Sequence, residues 1–563
     1  MLINPRPWQI IATAKAVRWL VDEAQDRCFL IDAAPGAGKT ICAIAIAEQL
    51  IGRGAVDQVV VVAPRAEVVN QWAKDFQRVG GRSMLKVVGR DAEVVHLGND
   101  VCATWAAVDG LKDAFRALCA GRRTLVICDE HHHAAVEAAW GASAEDAFGD
   151  AAYVLVLTGT PVRSDGVESI WLQHNDSGEI SHPEAGTYTL TYGEAVDLEY
   201  CRPVTFHRHE GRFTVDLEAG QSLEVSGNEA AQLPPELAPI KALQGALEYY
   251  RLACTPQYDP LTREPSLQGY HASMLEAAIL KLDELRNRMP NAGGLVIAPT
   301  IEMADFFGAL LEKLEGEKPI AVHTGSPGAE QRIAAFRGGT KKWLVSVAMV
   351  SEGVDIPRLR VLVYLPAAKT ELAFRQAVGR VVRNSTEEGD DTHAYVVMPR
   401  LAMFEEHALR IEGEISAHWK KPTPAREKKC PSCKRENALG AGTCTGCGHE
   451  FPKAAPRTRP CPACSAPVRL GARTCESCGH NLLSNFTIRL KEAMREGAIV
   501  RGLDVNEQEC REGEQLAESV RDKVLQSGDL NLIRLIRVLP PASLGQLKRL
   551  LSGAESGGGE TLH

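Results

Sequence analysis

A chain of 563 residues, 45% hydrophobic and 24% charged, has the composition of soluble globular protein and the length of several domains. Its net charge of −9 excludes a uniformly basic nucleic-acid coat but leaves room for a local basic face. No apolar run approaches the ~20 residues a helix needs to cross a bilayer, and Met1–Gln9 lacks the basic start and apolar centre of a secretory signal, so a cytoplasmic protein without a membrane partner is expected.

From Cys28 to Glu210 short apolar runs alternate with helical patterns. Cys28–Ala33, Val59–Ala63, Thr124–Cys128 and Tyr153–Leu157 read as strands buried on both faces, and Thr40–Leu50 and Ala66–Phe76 as helices between them. Such alternation predicts a doubly wound α/β domain, bounded here at residues 1–205. Residues 206–290 read as a less regular connector that ends in a long helix, Tyr270–Arg288. A second α/β series occupies 291–420, with strands at Leu295–Ala298, Ile320–His323, Trp343–Val347 and Val361–Tyr364 and helices at Glu302–Glu315, Glu330–Phe336 and Glu371–Val382. After Trp419 the pattern gives way to Pro, Lys and Arg and then to paired cysteines (421–480). From Asn485 the expectation is a small helical domain (481–563), clearest at Leu530–Leu539 and Ser543–Leu551, with a disordered tail from Ser552.

Between strand Leu30–Ala33 and the helix starting at Thr40 lies Ala34-Pro35-Gly36-Ala37-Gly38-Lys39. In that setting backbone N–H groups and a helix N-terminus can cradle phosphates. Gly36 and Gly38 permit positive φ, Lys39 would reach the β- and γ-phosphates of a nucleotide, and Thr40 would bind Mg²⁺. Ala33 stands where the strict phosphate-loop pattern has its first glycine. Strand Thr124–Cys128 delivers Asp129, suited to Mg²⁺, and Glu130, suited to activating water, and the cation lets the two carboxylates coexist. His131, His132 and His133 invite a zinc reading, but consecutive residues rarely converge on one ion.

The phosphate loop, D-E-H-H (Asp129–His132) and T-G-T-P (Thr158–Pro161) together resemble motifs I, II and III of superfamily 2 helicases and translocases, closer to the excision-repair and type III restriction branch than to the DEAD-box branch. The resemblance covers about residues 1–400 and implies two tandem RecA-like domains closing over ATP. That branch often carries Ala at the position of Ala33. The resemblance marks Gln9, in P-R-P-W-Q, as an adenine contact, and Val61–Trp72 and Ala103–Trp105 as segments facing nucleic acid, although Trp72 and Trp105 taken alone read as core. Val322–Ser326 resembles a strand-contacting motif, and Val350–Pro357 resembles motif V, with Gly353 at a tight turn and Asp355 near ribose or the domain interface. Gln376, Arg380 and Arg383 match motif VI and on a helix would share one face. Arg383, with Arg380 beside it, is then the expected arginine finger.

Cys430-x2-Cys433-x10-Cys444-x2-Cys447 recurs 31 residues later as Cys461-x2-Cys464-x10-Cys475-x2-Cys478. Two knuckles per unit give four thiolates, the closed tetrahedral set of structural Zn²⁺, so a double zinc ribbon with two ions is expected; His449 and His480 are not needed as ligands. Lys420–Arg473 holds twelve Lys or Arg against three Glu, which fits a nucleic-acid contact. The resulting expectation is an ATP- and Mg²⁺-dependent DNA helicase or translocase. The alternatives are an RNA helicase and the motor subunit of a restriction or defence complex, and the ribbons or C-terminal helices remain available to a protein partner.

Overall fold

The computed structural model describes residues 4–88, 100–129, 138–159, 171–173, 180–217, 221–226, 247–259, 261–323, 328–347, 356–384 and 393–419, and between 427 and 489 all but 431, 434, 439, 440, 452–457, 462, 470, 471, 473, 481 and 483–485. The apolar runs of the first half become a seven-stranded sheet of Cys28–Ala33 (β1), Gln58–Ala63 (β2), Met84–Val87 (β3), Asp100–Thr104 (β4), Thr124–Asp129 (β5), Tyr153–Thr158 (β6) and Thr187–Leu190 (β7). Their order is β3-β4-β2-β5-β6-β1-β7, every pairing parallel. Alternate residues of one strand serve two cores. Phe29 and Ile31 of β1 join the cluster that holds helices Pro7–Val17 (α1), Lys39–Gly52 (α2) and Ala66–Gly80 (α3), while Cys28 and Leu30 join that of Phe115 and Phe148 on the opposite face. Burial on both faces is why these strands read as unbroken apolar runs rather than alternating ones.

The second sheet has six strands, all parallel. They are Val204–His209 (β8), Gly293–Ile297 (β11), Ile320–Val322 (β12), Trp343–Ser346 (β13), Leu359–Tyr364 (β14) and Ala394–Pro399 (β15), in the order β12-β13-β11-β14-β15-β8. Because β8 pairs with β15, the boundary expected at 205 falls inside an edge strand of this sheet. Helix Tyr270–Arg286 follows the expected long helix closely and buries Met274, Leu275, Ala278, Ile279 and Leu282 against β14 and β15.

The connector is not merely helical. Arg212–Leu217 (β9) and Gln221–Ser226 (β10) form an antiparallel hairpin. Phe486–Arg489 adds to β9 in parallel as a third strand, which corrects the expectation of helix from Asn485 onward. Phe486 and Ile488, at 4% and 1% exposure, alternate with Thr487 and Arg489, a period of two that a helix cannot use. Leu530–Leu539, Ser543–Leu551 and the tail lie outside the described residues.

The cysteine repeat is a structural repeat as well. Glu427–Lys429 pairs with Glu436–Ala438, and Thr458–Pro460 pairs with Pro467–Arg469, giving two antiparallel hairpins at the same 31-residue offset. Among the described residues no helix is long and apolar enough to cross a membrane.

Candidate functional site: a cleft between two parallel sheets

β1 ends at Ala33, and the chain turns through Gly36 (φ +87°) and Gly38 (φ +99°) before entering α2 at Lys39. These are left-handed conformations that a side chain would strain. Space is a second restriction, since a Cβ on Gly36 would lie 2.8 Å from Cγ of Arg383, and one on Gly38 would lie 2.8 Å from Nε2 of Gln9. Ala33 is not among the positive-φ residues, so alanine costs nothing at the first motif position. The Lys39 ammonium donates to the Ala33 carbonyl at 2.9 Å and stands where a Cβ on Gly159 would be 2.8 Å away, so Gly159 meets the phosphate loop directly.

The second sheet reaches this loop through helix Glu371–Val381, capped by the Thr370 hydroxyl on the Ala373 N–H at 3.3 Å. A Cβ on Gly379 would sit 2.5 Å from Cβ of Pro35, so only glycine lets the helix lie on the loop. Gln376 and Arg380 are on this helix and buried. The helix closes at Val381, one residue earlier than expected, so Arg383 follows it instead of sharing its face. Backbone contacts hold Arg383 in place instead. Arg202 donates its N–H to the Val382 carbonyl at 2.6 Å and its guanidinium to the Arg383 carbonyl, Cys201 bridges Arg383, and the Cys201 thiol donates to the Pro35 carbonyl at 3.2 Å.

A cleft of 390 Å³ results. It brings together Lys39, Thr40 and Asp129 from the first sheet with Gln376, Arg380 and Arg383 from the second. Pro35, Gly36 and Gly38 line it as well. Ala37 lies behind the loop, its carbonyl accepting from Arg6 at 2.9 Å and from Trp8 at 3.2 Å. Gln9 is buried, its amide donating to the Gly38 carbonyl at 2.9 Å and accepting from the Arg6 N–H at 2.7 Å, so here it braces the loop, while Arg6 lines the cleft. Glu130, Gly353 and Asp355 lie outside the described residues. Trp72 and Trp105 are both core, each 1% exposed. Trp105 stacks on Trp171 with ring centroids 6.3 Å apart, and the Trp72 indole donates to Asp129 Oδ2 at 2.7 Å.

Several contributors are not evident from motif spacing. Arg6 lies in the same five-residue segment that marks Gln9 but carries no motif role, and Cys201–Arg202 carries no motif at all. Asp32, one residue before the loop, lines a 170 Å³ pocket behind it together with Tyr192, Arg375, Gly379 and Glu414. Burial pushes its carboxyl up to about 6, an effect that the nearby Lys39 and Arg375 charges partly offset.

In each cysteine unit the four sulfurs lie within 4.8 Å of one another. Cys430–Cys447 and Cys433–Cys444 stand at 3.5 Å, and Cys461–Cys478 and Cys464–Cys475 at 3.7 Å. Four thiolates about 2.3 Å from a tetrahedral Zn²⁺ are spaced by roughly that amount, so both sets fit the ion. The N–H of Cys447 is the largest influence drawing the Cys444 thiol down to about 6, toward the thiolate that metal binding requires. His449 is turned away, within 3.2 Å of the Ser432 hydroxyl.

Residues 2–163 match the family model described as type III restriction enzyme, res subunit. Residues 277–385 match the helicase conserved C-terminal domain, and residues 430–479 the double zinc ribbon. An uncharacterized protein of Mycobacterium tuberculosis is 34% identical over 372 residues, covering 66% of this chain and 58% of the relative. One of Mycobacterium leprae is 34% identical over 392 residues, covering 69% and 61%, so the match spans about three fifths of the length of these curated relatives. Among solved structures, a fragment of a putative HsdR subunit of a type I restriction enzyme from Vibrio vulnificus is similar at 17% identity and TM-score 0.47, over 74% of this chain and 67% of that one. The type ISP restriction-modification enzyme LlaBIII bound to DNA is similar at 14% identity and TM-score 0.48, over 94% and 35%.

Proposed function

From a chain that carries the two domains of a superfamily 2 helicase followed by a double zinc ribbon, we propose an ATP-dependent DNA helicase or translocase that couples hydrolysis in the intersheet cleft to movement along nucleic acid. The observation that carries this reading is the meeting of Lys39, Thr40 and Asp129 with Gln376, Arg380 and Arg383 around one cleft. In this reading the lobes are residues 1 to about 203 and 291–420, with β8 exchanged into the second sheet, 210–290 as connector and 421–480 as the ribbon pair.

The roles follow from position. The backbone of Pro35 to Gly38 cradles the phosphates at the N-terminus of α2, and Lys39 leaves the Ala33 carbonyl to meet the terminal phosphates. Thr40 and Asp129 would hold Mg²⁺, which supplies charge neutralisation at the phosphate oxygens. Glu130 orients the attacking water. Arg380 and Arg383 stabilise charge developing on the transferred phosphoryl group, with Gln376 lining the same cleft. Gly353 and Asp355 serve ribose or the lobe interface. Both lobes then grip one triphosphate, and losing that shared contact on hydrolysis loosens the cleft. Alternating grips on a strand turn this into travel, by phosphate contacts that are salt-sensitive and largely sequence-independent.

The match of residues 2–163 to a restriction-enzyme subunit favours DNA over RNA, and it also supports a second reading, the motor subunit of a restriction or defence complex. ATP turnover measured in parallel with single-stranded, duplex and forked DNA and with RNA tests the proposal. DNA-stimulated hydrolysis that Glu130→Gln abolishes is expected. Turnover stimulated by RNA alone would replace the DNA reading, and no turnover under any condition would remove the enzyme.

A further inference from the structure

Trp72 lies on α3, in the helix face that borders the cleft beside Gln71 and Asp75, and is 1% exposed. An indole carries a single donor and no acceptor. Here that donor is spent on Asp129 Oδ2 at 2.7 Å, from a helix of the first sheet onto the carboxylate at the end of β5. A hydrogen bond from a buried, immobile ring restricts rotation of the carboxylate it meets. Fixing Oδ2 therefore fixes where Oδ1 points. Neighbouring polar groups on α3 are otherwise occupied, since Gln71 donates to Asp75 at 2.8 Å and Arg78 to Asp75 at 2.9 Å.

We infer that Trp72 is a positioning residue for Asp129, holding one carboxylate oxygen so that the other is presented to a divalent cation in the cleft. The inference rests on the proposed nucleotide site and adds to it a supporting group outside the expected ligand set. Partners of metal-ligating groups typically contribute ~10- to 100-fold in metal affinity. An aromatic ring serving only as core filler would contribute to stability and nothing to the ion.

Trp72→Phe separates the two roles, because it keeps most of the buried ring and removes the N–H. On the full chain, Mn²⁺ affinity in the presence of a non-hydrolysable ATP analogue is read by electron paramagnetic resonance, beside analogue affinity without metal and the melting temperature. Mn²⁺ affinity is expected to fall ~10-fold or more, with metal-free analogue binding unchanged. In an Asp129→Asn background Trp72→Phe should then cost nothing further in Mn²⁺ affinity, a comparison that also guards against general loss of structure. Wild-type Mn²⁺ affinity in Trp72→Phe, or an equal loss in both backgrounds, would overturn the inference while leaving the nucleotide site standing. A wild-type chain that binds neither analogue nor Mn²⁺ with analogue would overturn both.

Discussion

On its phosphate-loop side the second lobe meets the first by close approach. Gly379 lies on Pro35, Arg383 lies on Gly36, and Arg202 grips the backbone of 382–383, beside a 390 Å³ cleft whose lining includes Lys39, Asp129, Arg380 and Arg383. Helix Tyr270–Arg286, the end of the connector packed on that lobe's sheet, meets the second zinc ribbon in another way. Glu276 and Arg459, 2% and 5% exposed, pair at 2.7 Å. Just beyond the ribbon, Phe486 packs into Phe213 and Tyr270, and Phe486–Arg489 completes the β9 sheet. The first contact surface is glycine-lined and built around a space, as two lobes closing on a ligand would need. The second is a desolvated ion pair next to a hydrogen-bonded strand, which is costly to open. Under the proposed function the first would be the joint that moves and the second the mount that stays.

The largest effect should come from the mount. Cys461→Ser with Cys475→Ser removes one of the two four-sulfur sets, and structural zinc contributes on the order of 10 kcal/mol to small domains. Bound zinc should drop by one ion per chain, and hydrogen exchange at 486–489 should accelerate. Protection there that survives would mean the strand Phe486–Arg489 is held without the ribbon. Next in size is the joint, where Arg383→Ala should slow ATP hydrolysis by ~10³-fold or more without lowering the melting temperature. A variant that loses stability instead would make Arg383 part of the mount.

Arg459→Met, which takes the Arg459 ion pair away from the buried Glu276, should cost up to about 3–5 kcal/mol in urea unfolding, and adding Glu276→Leu should recover part of it. Equal costs in the single and double variants would show that the pair is not what fastens the ribbon. The smallest effect belongs to Asp32 at the joint. Its carboxyl, pushed by burial to about 6 from 3.8, makes the folded chain bind a proton that the unfolded chain has released across that interval. Stability present at low pH is therefore lost as pH rises through it, by up to about 3 kcal/mol. Asp32→Asn should abolish that loss, raising stability at pH 7 and leaving it unchanged below pH 3. A pH profile that is the same in both proteins would mean that Asp32 ionises as freely folded as unfolded.

Much of the joint was legible in the sequence because its parts are local. β1, the loop and α2 are contiguous, buried parallel strands write themselves as apolar runs, and two C-x2-C knuckles fix a metal site by spacing alone. What was not legible depends on distant pairing. Val204–His209 carries His207 and Arg208 and straddles the boundary expected at 205, yet all of it belongs to the second sheet because Ala394–Pro399 offers it an edge. Phe486–Arg489 is too short to declare its period and is a strand only because β9 is there. The expected helix ran through Val382 because nothing in Val381-Val382-Arg383 breaks a helix, and the chain leaves it where Arg202 captures the Val382 carbonyl. Trp72 and Asp129, 57 residues apart, each had a reading, one as core and one as metal ligand, but their bond could be seen only in three dimensions.

The central claim is that one nucleotide is worked on by both lobes. Its most direct test pairs binding with turnover, using affinity for a fluorescent ATP analogue and the rate of DNA-stimulated hydrolysis in the wild type and in Arg383→Ala. The account predicts near-normal binding and hydrolysis reduced by ~10³-fold or more in the variant. Hydrolysis by Arg383→Ala at the wild-type rate would contradict it, because the second lobe would then have no part in the chemistry.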